Sequence, residues 1–100
     1  MKVFISQPMN GKTTDEILKE RAKVVEAIKN MFPADDIEVL DSFFEDAPHE
    51  AAPLWFLGES IKLLGKADLV FFCPGWANAR GCRVEHMCAT EYGKDIYGYL

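Results

Sequence analysis

Leu69-Val70-Phe71-Phe72-Cys73 is apolar at every position. Side chains of a strand alternate between the two faces of its sheet, so a strand without a polar residue has to be covered on both sides. The pattern that covers both sides is a parallel sheet whose strands are joined by helical crossovers. The rest of the chain must then supply strands beside this one and helices above and below it.

The sequence reads that way. Lys2 to Ser6 forms a first strand candidate, followed by the polar turn Gln7-Pro8-Met9-Asn10-Gly11-Lys12. Thr13 with Glu16 has capping-box spacing, and Ile17, Leu18, Val24, Val25, Ile28, Met31 and Phe32 follow at roughly helical period. Pro33 and Asp35-Asp36 stop this helix. Ile37 to Leu40 is a short second strand ending at Asp41-Ser42, and Phe43 to Pro53 reads as a loop. Leu54 to Lys66 is helical, with Leu54, Leu57, Ile61 and Leu64 on one face. After the apolar strand comes the loop Pro74 to Gly81, then a helix from about Cys82 to Tyr92 that Gly93 ends. Asp95 to Leu100 is the last strand candidate.

Strands and helices alternating in this order imply a parallel sheet with right-handed crossovers. Every strand-to-helix loop then leaves from the carboxyl edge, where open α/β sheets bind ligands at the point of strand-order reversal. The loops at Gln7, Asp41 and Gly75 should meet around one crevice.

The 100 residues suit a single domain, residues 1–100. A net charge of −5 denies the chain the basic face of a nucleic-acid polymer binder, and no apolar run is long enough for a membrane span. Three Cys is an odd number, and the chain starts on a strand-like segment without an apolar leader, so it reads as a cytoplasmic protein with reduced thiols.

Several residues near the crevice carry chemistry, each with a bland alternative. Glu85 is expected in the first turn of the third helix, where free amides and the helix dipole favour a carboxylate. There it is either a helix-start residue or a nucleophile for a sugar's anomeric carbon. Ser6, Gln7 and Asn10 offer hydrogen-bonding groups around Met9 and Gly11, although the spacing is not that of a P-loop. Trp76 with Asn78 reads either as a base-stacking face with an amide or as ordinary packing. Arg80 and Arg83 suit an anion or a surface ion pair. Cys73, Cys82, His86 and Cys88 do not converge as zinc ligands should, so no metal is expected.

Taken in order, Lys2-Val3-Phe4-Ile5-Ser6-Gln7-Pro8-Met9-Asn10-Gly11-Lys12, Asp41-Ser42-Phe43-Phe44, Ala67-Asp68, Gly75-Trp76 and Ala79-Arg80-Gly81-Cys82-Arg83-Val84-Glu85-His86 resemble the small nucleoside 2-deoxyribosyltransferase-like proteins of bacteria and phages. The resemblance implies a flavodoxin-like Rossmannoid fold, a three-layer α/β sandwich around a parallel sheet of four or five strands. It implies cleavage or transfer of the N-glycosidic bond of 2-deoxyribonucleosides or their monophosphates, without a cofactor, in a homo-oligomer. Glu85 takes the nucleophile's place after Gly81. Ser6, Gln7, Met9, Asn10 and Gly11 would hold the small-molecule nucleoside or nucleotide from the first loop, and Ser42 from the second. Gly75, Trp76, Asn78, Arg80 and Gly81 would hold it from the third. The chain departs from the family twice. Ser60 stands where an Asp is usual, leaving Ser60, Asp41 and Asp46 as candidates for the acid step, and Arg83 replaces a second Gly. The departure at Ser60 also fits a non-catalytic nucleotide-binding or sensing module. A third alternative is an interaction domain using Phe43, Phe44, Trp55 and Phe56.

Overall fold

A computed structural model describes residues 1–99 of the chain. Four strands and three helices alternate: β1 (Lys2–Ser6), α1 (Thr14–Met31), β2 (Glu38–Val39), α2 (Pro53–Leu64), β3 (Leu69–Phe72), α3 (Arg80–Glu91) and β4 (Asp95–Gly98). A single 3-10 turn, Trp76–Asn78, interrupts the loop before α3. The sheet is all parallel, in the order β2-β1-β3-β4. This is the flavodoxin-like order without its fifth strand.

The apolar strand takes the place its composition demands. β3 lies between β1 and β4, and its residues are buried throughout. On one face Val3, Ile5, Leu69 and Phe71 pack with Val24 and Ile28 of α1. On the other, Phe4, Val70 and Phe72 pack with Leu64 of α2 and Ala89 of α3. Three layers result, with α1 on one side and α2 and α3 on the other.

The helix boundaries carry local reasons. Thr13 and Glu16 form the reciprocal capping box, with N–H to oxygen distances of 3.2 and 3.0 Å. Gly93 ends α3 with a φ of 69°, a backbone angle that glycine adopts without strain. At Gly98 a φ of 117° lets β4 press against β3 so closely that an added Cβ would lie 2.3 Å from the Phe72 carbonyl oxygen.

Four expectations need correction. The second strand has ladder pairing at Glu38 and Val39 alone, because these two residues oppose Lys2 and Val3 at the end of β1. The stripe that α1 buries is Ile17, Arg21, Val24 and Ile28, so Leu18 and Met31 fall outside it and are exposed. On α2 the buried positions are Ser60 and Leu64, and Leu54 in the first turn is 78% exposed. The third helix starts at Arg80, not near Cys82, because extended Ala79 already caps it and its carbonyl accepts from the Arg83 amide at 3.0 Å. Leu100, the end of the expected last strand, lies outside the described residues.

Candidate functional site

The order in which strands are added to the sheet reverses between β1 and β3, and the site lies at their carboxyl ends. Alternation along β1 points Ser6 to the same face as Phe4, toward α2 and α3. Helical spacing places Cys82, Glu85 and Ala89 on the buried stripe of α3, and Ser60 on that of α2. These side chains meet. Ser6 Oγ donates to Glu85 Oε1 at 2.7 Å, inside the protein. Glu85 is 7% exposed, and among the described residues it is the one buried carboxylate.

Burial governs its chemistry. Loss of water pushes the Glu85 carboxyl up to about 7, against the opposing hydrogen bonds of the Ser6 hydroxyl and then the Ser60 hydroxyl. Near neutrality the group is therefore divided between its protonated and ionised forms. Because α3 begins at Arg80, Glu85 lies in the second turn, and its partners are hydroxyls rather than the free amides of the helix start. Cys82, one turn earlier, is pushed up to about 11 by burial, so its thiol stays protonated and is a poor nucleophile.

The loop after β1 is only partly available to a ligand. Gln7 is buried: its Nε2 donates to the Ile17 carbonyl at 2.8 Å and to Glu20 Oε1 at 3.1 Å, and its Oε1 accepts from Arg21 Nη1 at 3.4 Å. Ser42 is buried too, accepting from Arg21 Nη2 at 2.9 Å and donating to the Ile5 carbonyl at 3.1 Å. Both side chains, expected to bind substrate, are instead committed to α1 and β1. Met9 closes a turn through its carbonyl and the Lys12 amide at 3.1 Å, and Gly11 permits that turn with a φ of 78°. Asn10 and Gly11 face solvent there.

The buried guanidinium of Arg21 escaped the sequence reading. It also donates to the Leu40 carbonyl at 3.0 Å, so one side chain ties the ends of β1 and β2 together. Desolvation lowers its pKa, and the charge of Asp41 partly opposes that shift. The available signal was its position: Ile17, Arg21, Val24 and Ile28 occupy one helical stripe.

Trp76 follows its packing alternative. Its Nε1 donates to the Tyr99 carbonyl at 2.7 Å, and its ring stacks on His86 with centroids 4.3 Å apart and planes inclined by 13°. Phe72 meets both rings. Gly75 enters this corner with a φ of 82°, while Asn78, Arg80 and Gly81 are exposed at the mouth of α3. Arg83 Nη1 donates to the Ala77 carbonyl at 3.3 Å.

Asp41 is exposed just past β2 and borders an open cavity of about 400 Å³. Phe43, Phe44, Glu45, Asp46 and Trp55 also line it. Trp55 meets Phe44 and Phe56 edge to face, at 5.9 and 5.1 Å. Neither Asp41 nor Asp46 is hydrogen-bonded to Glu85. Among the described residues no group of three or more His, Cys, Asp or Glu converges as metal ligands would, and no helix is long and apolar enough to cross a membrane.

Compared with known proteins, the chain matches no family model, and no curated protein is significantly similar to it.

Proposed function

We propose that this domain cleaves or transfers the N-glycosidic bond of 2-deoxyribonucleosides or their monophosphates, with Glu85 as the nucleophile. The observation that carries the reading is the 2.7 Å Ser6–Glu85 hydrogen bond, which orients a buried carboxylate at the carboxyl edge where the strand order reverses. Carboxylate attack on an anomeric carbon requires an ionised, fixed oxygen in a site with little water. Ser6 holds Oε1, and a carboxyl that titrates near 7 is ionised in a useful fraction at neutral pH while being poorly solvated.

In the first step a Glu85 oxygen bonds to C1′, and the bond from C1′ to the base breaks with its electron pair leaving on the base. In the second, water or another base attacks C1′ and the carboxylate is released. Asn10, Arg80 and Gly81 are exposed on or beside the loops that follow β1 and β3, which supports contact with a sugar hydroxyl or phosphate. Three free cysteines support a reducing, cytoplasmic setting. Exposed Leu54 and Phe56 support a homo-oligomer.

The test is incubation with a panel of deoxynucleosides and deoxynucleoside monophosphates, with and without acceptor bases, read by chromatography of free base. Base release that Glu85→Gln abolishes is the expected result. Equal turnover by Glu85→Gln overturns the reading, and saturable nucleotide binding without turnover replaces it with a binding or sensing module.

A further inference from the structure

The carbonyls that Met1 and β1 turn toward β2 are met at every second residue. The Glu38 amide donates to the Met1 carbonyl at 2.8 Å, and the Leu40 amide to the Val3 carbonyl at 2.9 Å. Ile5 is the next acceptor in this row, and the donor due is residue 42. There the pattern changes: the Ser42 hydroxyl, in place of its amide, donates to the Ile5 carbonyl at 3.1 Å. The chain has already left β2, and Asp41 Oδ1 accepts from the Phe43 amide at 3.4 Å as the loop begins. One side chain therefore completes the ladder beside Ser6.

The direction of this bond is set from behind. Guanidinium nitrogens only donate, so Ser42 Oγ accepts from Arg21 Nη2, at 2.9 Å, and keeps its one proton for Ile5. The other acceptors of Arg21 are Gln7 Oε1 and the Leu40 carbonyl, and all three are neutral. Among the described residues no carboxylate is within ion-pair distance of this buried cation. A buried charge without an ionic partner costs stability, and the same stripe of α1 is otherwise filled by Ile17, Val24 and Ile28. Packing alone does not account for an arginine there.

The Ile5 oxygen and the Ser6 nitrogen lie in one rigid peptide plane. Ser42 fixes that plane on the β2 side, and on the β3 side the Cys73 amide holds the Ser6 carbonyl at 2.9 Å. Between these supports the Ser6 hydroxyl reaches Glu85 Oε1, 2.7 Å away. Burial and the hydroxyls of Ser6 and Ser60 act on Glu85, with no charged group among these influences. Arg21 therefore reaches the carboxylate through bonds and not through its charge.

We propose that Arg21 and Ser42 are positioning residues, which hold the Ile5–Ser6 peptide so that the Ser6 hydroxyl fixes the Glu85 carboxylate for attack on C1′. The attack rests on the glycosyl-cleaving reading given above, whereas the chain of bonds can be tested without turnover.

The test is a double-mutant cycle on Ser42 and Ser6, read from the Glu85 carboxyl carbon-13 shift across pH. Ser42→Ala should raise the Glu85 midpoint, about 7 in the parent protein, by roughly half a unit, about threefold in proton affinity. Arg21→Lys, whose single ammonium cannot span the same acceptors, should move it in the same direction. In a Ser6→Ala background, Ser42→Ala should add no further shift. Thr13→Ala weakens α1 at its N-cap without touching these bonds, and should leave the midpoint in place. With a deoxynucleoside that is turned over, Ser42→Ala should lower kcat by about tenfold with KM little changed. An unchanged midpoint or kcat in Ser42→Ala, an equal shift in Thr13→Ala, or additive shifts from Ser6→Ala and Ser42→Ala would each overturn the inference. The expected shifts with no turnover of any deoxynucleoside would instead overturn the glycosyl-cleaving reading and leave the positioning chain standing.

Discussion

Ser6 and Glu85 are 79 residues apart in sequence, and their side chains are joined by a 2.7 Å hydrogen bond between the end of the first strand and the second turn of the last helix. Removing the hydroxyl removes the leading influence that holds the Glu85 carboxyl down against desolvation. Ser6→Ala should therefore raise that pKa further above about 7, by roughly half to one unit if the bond is worth about 1 kcal/mol. The acid limb of the pH–rate profile, or the carboxyl chemical shift in an NMR titration, should move upward accordingly. An unchanged midpoint would mean that the bond does not govern the carboxylate.

The same carboxyl shapes stability. Its pKa rises from an ordinary 4.5 in the unfolded chain to about 7 in the folded protein, so the folded state binds its proton more tightly. The stabilisation is complete below the unfolded value, declines as pH rises through the window from 4.5 to about 7, and is gone above it. The full amplitude is about 3 kcal/mol. Urea unfolding of Glu85→Gln should lack this slope, and the variant should gain on the parent protein between pH 5 and pH 8.

Arg21 offers a test of the scaffold behind the crevice. Arg21→Met would leave the Gln7 Oε1, Leu40 carbonyl and Ser42 hydroxyl without their donor. The expected loss is about 3 kcal/mol, measured by thermal or urea unfolding. Arg21→Lys should recover only part of it, since one ammonium cannot span acceptors at the ends of two strands.

Gly98→Ala should loosen the β4 edge. The new methyl would collide with the Phe72 backbone, at a position whose φ of 117° disfavours any side chain. A cost of about 2–3 kcal/mol is expected. Faster hydrogen exchange at the Tyr99 amide, which donates to the Phe72 carbonyl at 3.0 Å, would locate the damage.

The layers and the succession of strands and helices were legible because their signals are local: an apolar strand, a capping box at Thr13 and Glu16, and glycine at a helix end. Topology pointed to the carboxyl edge of the sheet, and Glu85 was singled out by its place after the third strand. Other features depended on contacts that no short window contains. Gln7 looks like a loop amide, yet its carboxamide turns inward because Arg21 and the Ile17 carbonyl need its two ends. Leu54 has the right spacing for a core face, but the phase of α2 is set by Ser60 and Leu64. Ser60 itself, one of three polar residues in α2, gains meaning only beside Glu85.

The position of β1 in the sheet has a kinetic consequence. Residues 2–6 pair with β2 on one side and β3 on the other, and a parallel pair cannot be closed by a hairpin. This strand must therefore stay unpaired until residues 38–39 and 69–72, which follow it in the chain, have been synthesised. Val3, Phe4 and Ile5, all buried in the finished protein, remain open to water and to other nascent chains over that interval.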